Sequence, residues 1–478
     1  MIRNKSAVDR LADLLPADRV LTREEDIKPY SFDMTEAEPA MPDAVAFPVT
    51  TGEVAAIVKM ANEQKCPLIP CVARTNLGGL AIPTRGGIIV DLTKMNRIHQ
   101  VNRDEMYIVI EPGVTFQMVR DYLDANHPDM RFSYPLSPPW TSVVANALLD
   151  GLANLSFRGG TMAQWVNSME VVLPTGDVMK TGAATLTDNW WGKGPLPDLA
   201  GLFFSWQGTT GICTKMAIEL YPKLPLNERA FIMTYRLEDG FDLMRRFSRT
   251  LIFDDIGGLS WPTGKMLFGL REGLVKDPDE PEFYVYIDYA GNNKGEMAAK
   301  GRTINSVLKE AAKRGTAFEQ PMAVETLVRV NPAFMKFAEF PTTLDFLLET
   351  EAGGLTWVGT YGPTANWSEV SRRCHAIQEG AGFPPVLVSR PMKLGHYGVA
   401  RFIQIFRKND TEHRRAVREV NRRIAETALE LGYIPYKAPE WVAEMFVKRW
   451  DPTYRDVMVK IKKLLDPNGI MNPGKMKL

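Results

Sequence analysis

The sequence is poor in the groups that build metal centres and disulfide frameworks. Its 478 residues include four cysteines and five histidines. Cys66, Cys71, Cys213 and Cys374 show no Cys-x-x-Cys spacing, which speaks against a zinc site, an iron–sulfur cluster or an intrachain disulfide framework. They read as reduced core thiols. His99, His127, His375, His396 and His413 lack the short His-x-His or His-x-x-x-His spacing of a metal site, so no metal is expected. Net charge is missing as well: 57 basic and 57 acidic side chains cancel, and nothing drives the chain onto nucleic acid or an anionic membrane. No window approaches the roughly 20 apolar residues that span a bilayer. The opening residues, Met1 to Ser6, lead into charged helix-like sequence and not an apolar signal core, so a cytoplasmic location is expected. Internal repeats and low-complexity tracts are absent.

What is there is a globular enzyme's composition, 45% hydrophobic and 24% charged, over about three times the length of one typical domain. Two large domains are the natural expectation. Along the first, Ala44 to Phe47 reads as a strand, Thr51-Gly52-Glu53 opens an amphipathic helix, and Pro67 to Val72 and Ile88 to Leu92 read as buried strands. Between those two lies Ala73-Arg74-Thr75-Asn76-Leu77-Gly78-Gly79-Leu80, too polar and too glycine-bearing for either element. Tyr107 to Glu111 is another strand, and Thr115 can cap a helix through Leu123. Glu170 to Leu173, Pro174-Thr175-Gly176-Asp177 and the residues up to Gly182 form a strand, a turn and a second strand. Past Pro225 the texture changes: strands such as Glu282 to Tyr289 and Phe402 to Phe406 alternate with longer basic helices such as Asp410 to Leu431. The C-terminal Leu464-Leu465-Asp466-Pro467-Asn468-Gly469-Ile470-Met471-Asn472-Pro473-Gly474-Lys475 is turn-rich, and it is expected to pack back on the first domain.

Four segments, residues 42–92, 137–182, 205–220 and 436–475, resemble in order the vanillyl-alcohol oxidase and p-cresol methylhydroxylase (PCMH) family of flavoproteins. The hairpin ending at Gly182 resembles the strand pair that closes the family's FAD-binding domain. The resemblance implies an α+β chain with a two-domain PCMH-type FAD-binding fold: residues 1–225 binding FAD, 226–435 forming an α+β cap over the substrate, and 436–478 returning to the first domain. It places Arg74, Thr75, Asn76, Leu77, Gly78 and Gly79 at the FAD pyrophosphate, where Arg74 can add charge and the backbone can offer N–H groups. Read alone, that loop is an ordinary polar connection. Pro138, Thr141, Ser142, Val143, Asn146 and Gly151 fall in the small-residue stretch that approaches the flavin ring; alone they read as a helix N-terminus packed in a core. Gly211, Ile212 and Thr214 match the Gly-x-x-Gly-Ile-x-Thr stretch, and Asn472 lies in the C-terminal signature.

The implied activity is an FAD-dependent dehydrogenase or oxidase taking a hydride from an alcohol or a benzylic or allylic carbon. The acceptor is oxygen or a protein, a cytochrome or an iron–sulfur subunit. The substrate is a small molecule, aromatic or anionic, and the protein is a homodimer or a subunit of a complex. Two alternatives stand beside this: a D-2-hydroxy-acid dehydrogenase, against which the missing histidine cluster weighs, and a flavin-using transferase of the alkyl-glycerone-phosphate synthase kind. The family's phenolate-binding Tyr-Arg pair falls on Tyr436 and Lys437, and its loop tyrosine on Gly78. Lysine keeps the charge without the two-pronged geometry. The position that often tethers FAD falls on Ala400, which implies non-covalent FAD. Arg390, His396, Tyr397 and Arg401 form the densest polar group of the cap; His396 and Tyr397 are candidate bases, and Arg390 and Arg401 candidate anion ligands. Trp357 resembles a pocket-lining residue of a cap strand. For each, a plain structural role competes.

Overall fold

The computed structural model describes residues 6–267, 274–338 and 353–478. The reading of residues 1–5 lies outside that range. The N-terminal half builds two sheets. The first has four strands, in the order Val20–Leu21, Ala44–Ala46, Ile88–Asp91 and Leu68–Cys71, the last three parallel. Their Ala-Val-Ala and Ile-Ile-Val-Asp sequences are buried on both faces, as parallel strands require. Helix Thr51–Gln64 crosses between two of them, capped by the Thr50 hydroxyl accepting from the Glu53 N–H. The second sheet has five antiparallel strands, ordered Ile98–Asn102, Tyr107–Ile110, Ile212–Glu219, Val166–Val172 and Val178–Lys180. The last pair is the expected hairpin: the Leu173 N–H donates to the Asp177 carbonyl across a turn with Gly176 at φ 85°.

The cap is an eight-stranded antiparallel sheet whose central strands include Asp255–Ser260, Val386–Met392, Tyr397–Arg407 and Gly353–Gly362. One face carries the largest hydrophobic core, with Phe241, Phe283, Trp367, Leu387, Ala400 and Phe402, under helices that include Leu237–Ser248 and Thr411–Glu430. The other face looks toward the N-terminal half. The strand expected over Phe402 to Phe406 begins earlier, at Tyr397, because its full length pairs with Gly353–Gly362. Period-two alternation then fixes direction: Ala400 and Phe402 enter the core, while Val399 and Arg401 face the other way. Ala400 is therefore on the wrong side of the sheet to occupy a tether position, a correction to the sequence match.

The C-terminal signature packs against the four-stranded sheet. Met471 bridges Leu68 in parallel, and Ile470 and Met471 are buried in the same core as Leu68 and Ile88. Hydrogen bonds hold cap and N-terminal half together: Tyr361 Oη donates to the Asp150 carbonyl at 2.7 Å, and Gln207 Nε2 to the Ala438 carbonyl at 2.9 Å. Among the described residues, no helix is long and apolar enough to cross a membrane.

Candidate active site

Between the two halves lies a cleft of about 1470 Å³ including its mouth. Three segments of the N-terminal half line one wall: residues 70–76, residues 135–152 and residues 207–213. They come together because Asn472, with its backbone at φ 39°, acts as a clasp. Its Nδ2 donates to the carbonyls of Leu80 (3.2 Å) and Gln207 (2.7 Å), and its backbone N–H to Leu68.

This wall is left hungry for hydrogen bonds. Ser137 Oγ, Thr141 Oγ1, Asn146 Nδ2 and Gln207 Oε1 are buried without a partner, and all four residues line the cleft. An unpaired buried polar atom costs about 1–3 kcal/mol, so four in one cleft mark the place of a polar ligand. The N–H groups of Ala73 through Leu77 find no protein acceptor among the described residues. Such a run of free amides is an anion-binding concavity. Within it Asn76 Oδ1 accepts from the N–H groups of Gly78 and Leu80, shaping the loop. The Arg74 guanidinium turns aside: it lies 4.2 Å over the Tyr30 ring and donates to the Pro29 carbonyl at 2.5 Å.

The opposite wall is the cap. Trp357, Val388, Arg390, Val399, Arg401 and Lys437 line it, each from the cleft-facing register of its strand or the turn that follows. The two arginines differ. Arg390 is already occupied, donating to the Ala153 carbonyl at 2.7 Å and lying 3.2 Å from Asp255. Burial raises the Asp255 carboxyl to about 7 against the lowering effect of Arg390. Arg401 is buried with no carboxylate at ion-pair distance among the described residues. It stacks 4.2 Å over Trp357, donates to Tyr436 Oη and leaves Nε without a partner. Tyr436 is stacked in turn on Tyr361, with ring centroids 4.4 Å apart. Lys437, at φ 52°, places Nζ 3.5 Å from Asn146 Oδ1 and 5.9 Å from the rings of Trp357 and Tyr436. Burial, reinforced by the Arg401 charge and only partly offset by Asp150, lowers its amine to about 7.

The cleft thus gathers many of the residues singled out in the sequence: Arg74, Thr75, Asn76, Thr141, Ser142, Asn146, Gly208, Gly211, Ile212 and Asn472 on one side, Trp357, Arg390, Arg401 and Lys437 on the other. Others stand behind the walls. Leu77, Gly78 and Gly79 face a separate groove on the far side of the loop. Val143 is buried core, Pro138 accepts from the Thr141 N–H, and Gly151 hydrogen-bonds Asn146 and Met162 through its backbone. Thr214 is committed to Glu170. A Cβ on Gly78 would lie 2.5 Å from the Lys437 carbonyl, so no side chain fits there. His396 is exposed in a turn away from the cleft, and Tyr397 packs edge-on against Tyr361, so the structure brings neither candidate base to the cleft. Sequence reading missed Gln207, which directly precedes the glycine-bearing stretch beginning at Gly208 and was within reach of that motif.

Comparisons with known proteins agree with this geometry. A family model described as an FAD binding domain matches residues 42–182, and one for the C-terminal domain of FAD linked oxidases matches residues 442–476. The chain thus carries the FAD binding domain and the C-terminal domain of FAD linked oxidases. It is 27% identical to the flavoprotein subunit of 4-cresol dehydrogenase (hydroxylating) from Pseudomonas putida, over 98% of this chain and 94% of that one. It is 25% identical to a D-lactate dehydrogenase of Anaerostipes hadrus, over 98% and 96%. In fold it resembles p-cresol methylhydroxylase solved with substrate bound, at a TM-score of 0.86 and 22% identity, covering 99% of this chain and 96% of that one. The flavoprotein is therefore an FAD-dependent oxidoreductase with a two-domain PCMH-type fold. Its unpaired amides and orphaned polar side chains fit an FAD laid along the N-terminal wall.

Proposed function

We propose that this flavoprotein oxidises a small molecule carrying an anionic oxygen conjugated to its C–H donor, most simply a para-substituted phenol oxidised at the benzylic carbon. The observation that carries this reading is Arg401: a buried guanidinium with no carboxylate partner, held flat by Trp357 and hydrogen-bonded to Tyr436. A buried cation of this kind is costly without an anion, and substrate is the anion available to it. The planar fork that Lys437 cannot supply comes from Arg401, with Tyr436 behind it accepting from the guanidinium. Bound FAD would supply the hydride acceptor. Residues 1–225 hold FAD in this reading, residues 226–435 cover the substrate, and residues 436–478 join the two. FAD is held without a covalent bond: no histidine or tyrosine is among the lining residues, and burial pushes the Cys71 and Cys213 thiols far above their ordinary range, which leaves them poor nucleophiles. The similarity to a flavoprotein subunit supports a second protein as electron acceptor.

A second reading shares the clamp. A carboxylate would also satisfy Arg401, and the D-lactate dehydrogenase relative favours a D-2-hydroxy acid. Anaerobic mixing with 4-alkylphenols and with D-lactate, followed by flavin bleaching, separates the two. Bleaching by the phenols alone is expected; bleaching by D-lactate alone overturns the phenol reading.

A further inference from the structure

Two basic side chains share the substrate end of the cleft, and only one of them can give up a proton. Arg401 stays charged under all working conditions. Lys437 stands beside it in an enclosed place. Its residue is half-buried, with its free surface turned into the cleft. Its backbone is locked in the left-handed region, where the carbonyl abuts Gly78, so the amine is aimed and not free to retreat.

The groups that face it come from every neighbouring element. Arg401 projects from Tyr397–Arg407. Asp150 follows the helix Val143–Leu148, but its carboxylate accepts from Thr161 Oγ1 at 2.5 Å and has Lys193 as a further cation. Tyr361 stacks on Tyr436 and sends its hydroxyl to the Asp150 carbonyl, with Tyr397 edge-on behind it. None makes an ion pair or hydrogen bond to the amine among the described residues; Asn146 Oδ1 at 3.5 Å is its one polar contact. Unlike the Arg401 guanidinium, an amine enclosed without a carboxylate can shed its charge. This one is poised next to the anion clamp with its own lone pair available.

On the reading of the cleft given above, we infer that Lys437 takes the proton from the substrate hydroxyl as it enters, while Arg401, backed by Tyr436, holds the resulting oxyanion. The O–H bond breaks and an N–H bond forms: the neutral amine becomes an ammonium and the hydroxyl becomes an oxyanion, with no change in oxidation state and no net proton exchanged with solvent. This differs from a Tyr-Arg pair, whose arginine can stabilise the oxyanion but cannot accept the proton. The lowered amine, at about 7, lets it serve at neutral pH and above.

The test uses the FAD-loaded protein and 4-chlorophenol, a phenol with no benzylic C–H, so that binding is read apart from turnover. Ultraviolet difference spectra report ionisation of the bound phenol, and calorimetry in buffers of different ionisation enthalpy reports proton release. Wild type at pH 8, where the free 4-chlorophenol is almost wholly protonated, is expected to bind phenolate with no proton released. Lys437→Met is expected to bind at least tenfold more weakly and to release a proton when it does; Lys437→Arg is expected to bind phenolate but with one proton released. Flavin reduction by 4-methylphenol should lose the limb that rises through about pH 7 in both variants, and slow by about 100-fold in Lys437→Met. Phenolate binding by Lys437→Met without proton release and with the wild-type pH profile overturns the inference alone. If no phenol binds wild type or bleaches its flavin, the phenol reading itself fails and the inference goes with it.

Discussion

The two walls of the cleft solve different recognition problems with different chemistry. The N-terminal wall offers neutral donors and acceptors: backbone amides of residues 73–77, and the unpaired atoms of Ser137, Thr141, Asn146 and Gln207. The one arginine there, Arg74, is spent on Tyr30 and Pro29. The cap wall offers concentrated positive charge with aromatic backing: Arg401 on Trp357, Tyr436 on Tyr361, and Lys437 behind. A dinucleotide can be held by many weak, geometrically fixed groups, whereas a small anion must be caught by a few strong ones. The contrast repeats inside the cap. Arg390 and Arg401 are both buried, both face the cleft, and sit one strand apart, yet Asp255 neutralises the first and nothing neutralises the second. Density of charged residues in the sequence pointed to both; only the partner distinguishes a structural arginine from a binding one.

The sharpest way to break that comparison is to remove each charge in turn. Arg401→Met is expected to slow flavin reduction by about 10²- to 10³-fold while FAD stays bound; rates within threefold of wild type, measured by anaerobic stopped flow, would remove Arg401 from the substrate clamp. Arg390→Met should do the reverse, leaving Asp255 buried without its cation. Denaturant unfolding should show a loss of about 3–5 kcal/mol, with flavin reduction nearly unchanged in the folded fraction. The sign with pH follows from Asp255. In this variant its carboxyl, already raised to about 7, rises further; below about pH 7 both proteins hold that proton alike, and above it wild type ionises against Arg390 while the variant cannot, so the deficit grows as pH climbs above about 7.

On the other wall, Asn472→Ala should loosen the clasp between Leu80 and Gln207. The expected cost is about 1–3 kcal/mol, seen as weaker FAD retention on dilution with little change in substrate affinity of the loaded protein. The smallest effect belongs to His396→Ala: stability within about 0.5 kcal/mol and an unaltered pH profile of flavin reduction, since the imidazole is exposed outside the cleft. A lost pH limb there would place the base on the wrong residue.

Much of the cofactor wall was legible because it is built from contiguous stretches. A polar loop between two apolar strands, a small-residue run after Pro138-Pro139, and a turn-rich terminus each announce themselves within ten residues or so, and Arg74, Thr141, Asn146, Ile212 and Asn472 all line the cleft. The substrate wall was legible only as a roster. Arg390 to Arg401 looked like a solvated basic turn leading into a strand, whereas pairing with Gly353–Gly362 extends the strand back to Tyr397 and sorts its side chains by face. That sorting sends Ala400 into the core and leaves His396 in solvent.

By itself the sequence determined an α+β chain and, through its resemblance to a flavoprotein family, the FAD cofactor, because the segments that carry the resemblance are contiguous loops and turns. Which charged side chains face the cleft was decided by the tertiary structure. Strand register aligns Arg401 beside Tyr436, the Lys437 carbonyl against Gly78 aims a lysine into the cleft, and Asp255 occupies Arg390. These pairings join residues 35 to 359 positions apart, and no local pattern records which buried charge has found a partner and which still waits for one.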